Sequence, residues 1–166
     1  MPLRTRPPRP EDAEAIARIY NEGIAGRLAT FETRERTAAD IEAWLDEGFP
    51  LVVVEDGGGD ILAWASASPY RAHREAYWGI GDFSVYVAAE ARGRGAGRLA
   101  MEALAAEARA RGFWKLVSRI FPENEASLAL CRSLGFREVG VYRRHARLDG
   151  VWRDVVVVEL LLDDEG

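Results

Sequence analysis

Residues 82–98 read DFSVYVAAEARGRGAGR, a β-branched and aromatic run that gives way to an Arg/Gly segment. Val85, Tyr86 and Val87 favour a strand, and the Ala-, Glu- and Leu-rich residues 99–111 favour a helix. Between them Gly93, Gly95 and Gly97 remove the side chains that would keep a ligand from the backbone. The free N–H groups of the first helical turn, Ala96 included, then face an anion with the helix dipole behind them. Arg92, Arg94 and Arg98 add planar, permanently charged donors suited to phosphate. A solvated basic turn closed by a glycine cap is the competing reading. The segment lacks the Gly-Lys-Ser/Thr ending of a nucleotide P-loop. It also carries Arg98 where a dinucleotide fingerprint needs its third glycine.

The flanking sequence narrows the choice. At 166 residues the chain suits one domain spanning 1–166 with a substantial core. Its net charge of −5 argues against general nucleic-acid binding, because the positive charge is confined to two small spots, Arg92/Arg94/Arg98 and Arg71/Arg74. No apolar run reaches membrane-spanning length, and the opening MPLRTRPPRPED has no apolar signal core. One cysteine, Cys131, excludes an internal disulfide and a cysteine-cluster metal site. His73 and His145 are too few for a convincing zinc centre, so no metal is expected. These features together point to the cytoplasm.

Hydrophobic periodicity and breakers predict the order β-α-α-β-β-β-α-β-α-β-β. Residues 3–6 form a strand ended by Pro7-Pro8. Pro10 opens a helix whose stripe is Ala13, Ile16, Ala17, Ile19 and Tyr20. A second helix covers 38–46 with Thr37 as its N-cap. Strands 51–55 and 61–68 flank DGGGD, a hairpin signal. Residues 77–87 hold the next strand, irregular around Gly79 and Gly81. After the long helix come strand 115–120, helix 124–134 stopped by Gly135, and strands 136–147 and 152–162 joined at 148–151. This is an α/β chain with a mixed, largely antiparallel sheet flanked by helices.

The pattern Arg92-x-x-Gly95-x-Gly97 after the fourth strand resembles the acetyl-CoA pyrophosphate loop of the GNAT acetyltransferases. The helix Asn124-Glu125-Ala126-Ser127, followed by Leu134-Gly135-Phe136, is similar to that superfamily's Asn-x-x-(Ala/Ser) … Leu-Gly-Phe element. Shorter matches resemble the phosphinothricin/methionine sulfoximine N-acetyltransferase branch: Ile19-Tyr20-Asn21-Glu22, Thr30-Phe31-Glu32, Pro69-Tyr70-Arg71, Ser84-Val85-Tyr86-Val87 and Gly150-x-Trp152-x-Asp154. The resemblance covers essentially the whole chain. It implies a GNAT fold, acetyl-CoA as co-substrate, a small amine acceptor such as phosphinothricin, methionine sulfoximine or methionine sulfone, and a homodimer.

It also implies roles. The strand 84–87 would pair its backbone, at Val85 and Val87, with the pantetheine amides and polarise the thioester carbonyl. Tyr86 lies in that stretch, and Arg92, Gly93, Arg94, Gly95, Ala96, Gly97 and Arg98 would hold the phosphates. Asp82 stands where the branch has a glutamate acting as general base. Capping the turn after Gly81 is its structural alternative. An ordinary carboxylate near 4 is a poor base for an ammonium unless burial or a water relay helps. Asn124, Ser127 and Cys131 share a helix face at i, i+3 and i+7. Cys131 occupies the position of the family's general acid, with a buried packing thiol or water as the other possibilities. Phe31, Glu32, Arg71, Arg74 and Tyr77 would line the acceptor pocket, an arginine clamping the acceptor carboxylate. His145 sits in a basic strand and is given no catalytic role. The rival functions are acetylation of a protein N-terminus or another primary amine, and non-catalytic acyl-CoA binding.

Overall fold

The computed structural model describes residues 2–163. Seven strands form one sheet: β1 (Arg4–Arg6), β2 (Leu51–Glu55), β3 (Ile61–Pro69), β4 (Ile80–Val87), β5 (Lys115–Ile120), β6 (Arg137–Leu148) and β7 (Val151–Leu161), in the order β1-β2-β3-β4-β5-β7-β6. Every neighbouring pair is antiparallel except β4 and β5. Four helices flank it: α1 (Ala13–Ala25), α2 (Ala38–Glu47), α3 (Ala96–Ala110) and α4 (Glu125–Ser133).

The alternation of side chains along the strands assigns each face its helices. Ala63, Ala65 and Ala67 of β3 join the cluster that contains Ala96, Ala100, Leu104 and Ala108 of α3. These helix positions recur every four residues, so they form one stripe. Small side chains on both partners let α3 lie close to the sheet. On the other face Trp64, Val53 and Tyr86 pack with Ile16, Ile19 and Tyr20 of α1 and Ile41 of α2.

Local signals hold most element ends. Thr37 Oγ1 accepts the Asp40 N–H at 3.2 Å, and the Asp40 carboxylate accepts the Thr37 N–H at 2.9 Å. This reciprocal pair opens α2 and holds the Asp40 carboxyl below its ordinary value. In the β2–β3 turn Asp56 Oδ1 accepts from Gly58 and Asp60 N–H. Asp149 (φ 51°) and Gly150 (φ 79°) close the β7–β6 hairpin through a two-residue turn that matches strand twist.

The expected strand at 77–87 starts later than the sequence suggests. Residues Glu75–Tyr77 form a 3-10 turn, and β4 begins at Ile80. The cause is tertiary: the Trp114 ring lies over Gly79, where a Cβ would sit 1.9 Å from a ring carbon. The Trp114 N–H donates to Gly79 O at 2.8 Å. Trp64 is buried, while Trp114 and Trp152 are exposed.

Candidate active site

The site starts where two parallel strands part. β4 pairs with β5 only at Ile80, Gly81 and Asp82. Beyond Asp82 the Ser118 hydroxyl donates to Phe83 O at 3.0 Å, on the β5 side, while the Ala88 N–H donates to Leu62 O at 2.8 Å, on the β3 side. Backbone groups alternate in direction along a strand. The N–H and C=O of Val85 and Val87 therefore face the gap left by β5, and those of Ser84 and Tyr86 belong to the β3 ladder. An extended ligand with amides finds strand-like partners only at Val85 and Val87. Tyr86 contributes its side chain instead, buried 5.0 Å from both Tyr20 and Trp64 ring centres. Burial pushes its phenol well above the ordinary range.

At the far end of the gap, Gly95 is the N-cap of α3 with φ 81°, and Gly93 has φ 80°. A Cβ at either would meet no atom within 4 Å, so backbone conformation rather than space demands glycine there. Gly97 is different: its Cβ would lie 3.2 Å from Val87 Cγ2 and 3.4 Å from Leu130 Cδ2. Its bareness brings the start of α3 against β4 and α4. Since Gly95 has no side chain to cap the helix, the first N–H groups of α3 are left for a ligand.

Two cavities occupy this region. One, of about 310 Å³, runs past Val85, Val87, Arg92, Gly93, Gly95, Ala96 and Gly97 to Asn124 and Ser127. The other, of about 410 Å³, holds Phe31, Glu32, Asp82, Arg119, Cys131 and His145. They share Ala29, Val85, Tyr86, Asn124 and Ser127. A long ligand in the first would thus deliver its tip beside Val85 to whatever lies in the second. The residues of the first fit a pyrophosphate and an amide-bearing arm.

Of the three loop arginines, Arg92 alone lines the first cavity. Arg98 is paired with Glu102 at 2.9 Å and donates to Ser133 Oγ at 2.9 Å. Arg94 lies with Asp56, Glu90 and Asp60 along a separate depression.

In the second cavity Arg119 Nη2 pairs with Asp82 Oδ2. Phe31 meets Phe121 edge to face at 4.8 Å, and the Arg153 guanidinium stacks over Phe121 at 4.2 Å. Glu32 pairs with Arg36 at 3.1 Å. Asn124 Oδ1 accepts the Ser127 N–H at 3.3 Å, and its amide donates to Leu28 O at 3.3 Å. Asn124 thus caps α4 and ties it to the segment after α1. Cys131 belongs to the main core, and burial with the nearby Glu138 charge pushes its thiol up to about 11.

Arg71, Arg74 and Tyr77 line neither cavity. Arg71 is exposed and stacks over Tyr70 and Tyr77 at 5.4 and 5.3 Å. The reason is the register: Pro69 pairs with Gly81, so the β3–β4 loop leaves the sheet where β4 and β5 are still joined. The gap opens in the other direction. Conversely, Arg119 and His145 were not expected in the chamber. Neither belongs to a motif, and only the splay of β5 and a bulge in β6 bring them there.

A backbone anion cradle running into a chamber with a carboxylate is the arrangement of an acyl-transfer enzyme that uses a long phosphorylated donor. The chain belongs to the Acetyltransferase (GNAT) family, whose pattern matches residues 15–136, and it is an N-acetyltransferase. It is 33% identical over 156 residues to the L-methionine sulfoximine/L-methionine sulfone acetyltransferase of Pseudomonas aeruginosa, covering 92% of this chain and 90% of the relative. It is 34% identical over 163 residues to the phosphinothricin N-acetyltransferase of Streptomyces coelicolor, covering 95% of each. The crystal structure of a GNAT superfamily phosphinothricin acetyltransferase from Sinorhizobium meliloti, in complex with AcCoA, superposes with a TM-score of 0.90 at 29% identity, over 99% of this chain and 90% of that one. Among the described residues no helix is long and apolar enough to cross a membrane, and no three His, Cys, Asp or Glu side chains come together as a metal-ligand set.

Proposed function

We propose that this enzyme transfers acetyl from acetyl-CoA to the α-amine of a small amino-acid-like acceptor of the phosphinothricin, methionine sulfoximine or methionine sulfone type. The observation that carries this reading is the meeting of the two cavities at Val85, between the glycine cradle and the Asp82 chamber. Similarity to the two curated relatives supports the acceptor class.

On this reading Arg92 and the N–H groups at Gly93–Gly97 hold the pyrophosphate, and Val85 and Val87 pair with the pantetheine arm. The Val85 N–H polarises the thioester carbonyl as an oxyanion donor. Phe31 and Phe121 form the apolar wall of the acceptor chamber, with Glu32 at its edge. Arg119 supplies a positive charge for the acceptor carboxylate. Arg71, Arg74 and Tyr77 have no part in that chamber within one subunit.

Asp82 faces the acceptor ammonium. Because Arg119 already holds its Oδ2, Asp82 acts on the ammonium through a bound water rather than by direct contact. The freed amine attacks the thioester carbon, the C–S bond breaks, and the CoA thiolate takes a proton. Cys131 is a weak donor for that last step. Passing a proton from a thiol near 11 to a thiolate of ordinary affinity runs uphill by roughly 3 kcal/mol. The CoA thiolate instead leaves as such and takes its proton from bulk solvent, where an ordinary thiol is mostly protonated at neutral pH.

The enzyme is read as cytoplasmic, in keeping with a single, free, buried cysteine, and as a homodimer. Support for the dimer is the hairpin of edge strand β6 with β7, where Val139, Val141, Tyr142, Val151 and Trp152 are exposed.

A thiol-release assay with acetyl-CoA should find turnover on methionine sulfone, methionine sulfoximine or phosphinothricin exceeding that on polyamines and N-terminal peptides. Asp82→Asn should cut kcat/KM by about 10²-fold or more while acetyl-CoA affinity holds. Preference for peptides, or full activity in Asp82→Asn, would defeat the acceptor and base assignments respectively.

A further inference from the structure

The chamber is also lined by a histidine, His145. Strand β6 pairs with β7 at Tyr142↔Val155 and again at Ala146↔Arg153, so residues 143–145 stand opposite Asp154 alone. An insertion of two extra residues of this kind breaks the ladder and re-aims side chains. Here it turns His145 and Ala146 onto the wall that also carries Asp82 and Arg119. The bulge is held open by a strained residue: Arg144 has φ 47°, uncommon for a side chain of its size. Its N–H is satisfied by Asp154 Oδ1 at 2.8 Å. That bond gives a task to the aspartate of Gly150-x-Trp152-x-Asp154, which the transfer chemistry leaves without one. The imidazole ring also lies against Tyr142, 5.0 Å between centroids and 31° from parallel.

Resting on the transfer reading above, we propose that His145 receives the proton released by the acceptor ammonium, and that Asp154 is a positioning residue that keeps the bulge presenting it. The need for such a group is geometric. One oxygen of Asp82 is bound by Arg119, which fixes Asp82 as an anchor for a water. The proton passes from the ammonium nitrogen to that water, and a water proton passes to the imidazole. The net change is a neutral amine and an imidazolium, which then returns its proton to solvent. Imidazole is the side chain that changes charge between about pH 5 and 8, so it can be neutral before transfer and discharge afterwards.

Charges of both signs surround it. Asp82 on β4 and Glu32 after α1 favour the protonated ring, and Arg119 on β5 and Arg153 on β7 oppose it. Arg143, Arg144 and Arg147 on its own strand oppose it as well. The ring accepts only when neutral, so kcat/KM falls as pH drops through its titration.

The test compares wild type, His145→Gln, His145→Ala and Asp154→Asn with acetyl-CoA and methionine sulfone. His145→Gln should lower kcat/KM by about 10- to 100-fold and abolish the acidic limb between about pH 5 and 8. Free imidazole should restore turnover to His145→Ala. Asp154→Asn should keep the limb with a smaller loss. An unchanged pH profile in His145→Gln, with no imidazole rescue, would overturn the proposal even in a fully active enzyme. Binding gives a readout separate from turnover, because the chain has two histidines. The imidazole NMR signal missing from His145→Gln should shift when methionine sulfone is added to the CoA-saturated protein, while that of His73 stays. A still His145 signal would count against the residue's role. Wild type that ignores every amino acid would instead remove the acceptor reading.

Discussion

At the level of single residues, identity and chemical state part company most clearly at Cys131. Sequence position offers it as a proton donor, but a buried thiol pushed up to about 11 is a packing group first. Cys131→Ala should leave kcat within a factor of about 3 and keep the alkaline side of the pH profile. It should cost about 1 kcal/mol of stability measured by urea unfolding, the cost of a small vacancy in the core. A collapse of kcat at unchanged stability would restore the thiol as the acid. Asp82 teaches the converse. Its position beside Gly81 is legible in the chain, whereas its guanidinium partner lies 37 residues away on another strand.

At the level of elements, the first strand is fastened by charge. Arg6 donates to both Asp12 oxygens at 2.8 and 2.9 Å and to Glu55 at 2.8 Å. This ties β1 to the start of α1 and to β2. Burial opposes ionisation of Asp12, yet the bonds from Arg6 and the Arg9 N–H outweigh it and hold its carboxyl below the ordinary 3.8. Hydrogen bonds from Arg6 and Arg4 likewise lower Glu55 from 4.5. Depressed folded values mean a stabilisation fully present above about pH 4.5 and lost as pH falls below it. Thermal melts should therefore drop more steeply below pH 4 in wild type than in Arg6→Ala. At pH 7 Arg6→Ala should melt well below Arg4→Ala, since the Arg4 side chain is 75% exposed and that of Arg6 13%. Equal melting temperatures would show that the cluster is incidental to stability.

At the level of the whole molecule, the sheet ends on one side in β6, whose free edge carries Val139, Val141 and Tyr142 exposed. An apolar edge of that length is a hazard unless covered, and a second copy is the proposed cover. Light scattering should give twice the 18.4 kDa chain mass at micromolar concentration, and Val141→Lys with Tyr142→Lys should halve it. A monomeric wild type would dispose of the homodimer.

Much of this architecture is written in local chemistry. The Arg/Gly loop, the α2 cap at Thr37, the DGGGD turn and the alternation of β4 depend on neighbours within a few residues, and each is readable from the chain. The donor side takes its backbone partners from one continuous stretch, 85–97, and so that part of it is legible too, although α1 and α4 complete its walls. The acceptor side is assembled from the segment after α1, β4, β5, α4 and the β6 bulge. No periodicity links Asp82 to Arg119, or either to His145. Those pairings depend on where β5 leaves β4 and on how three residues of β6 are accommodated opposite Asp154. A register is a property of two strands at once, so only the tertiary structure decided which arginine and which histidine share the chamber with Asp82.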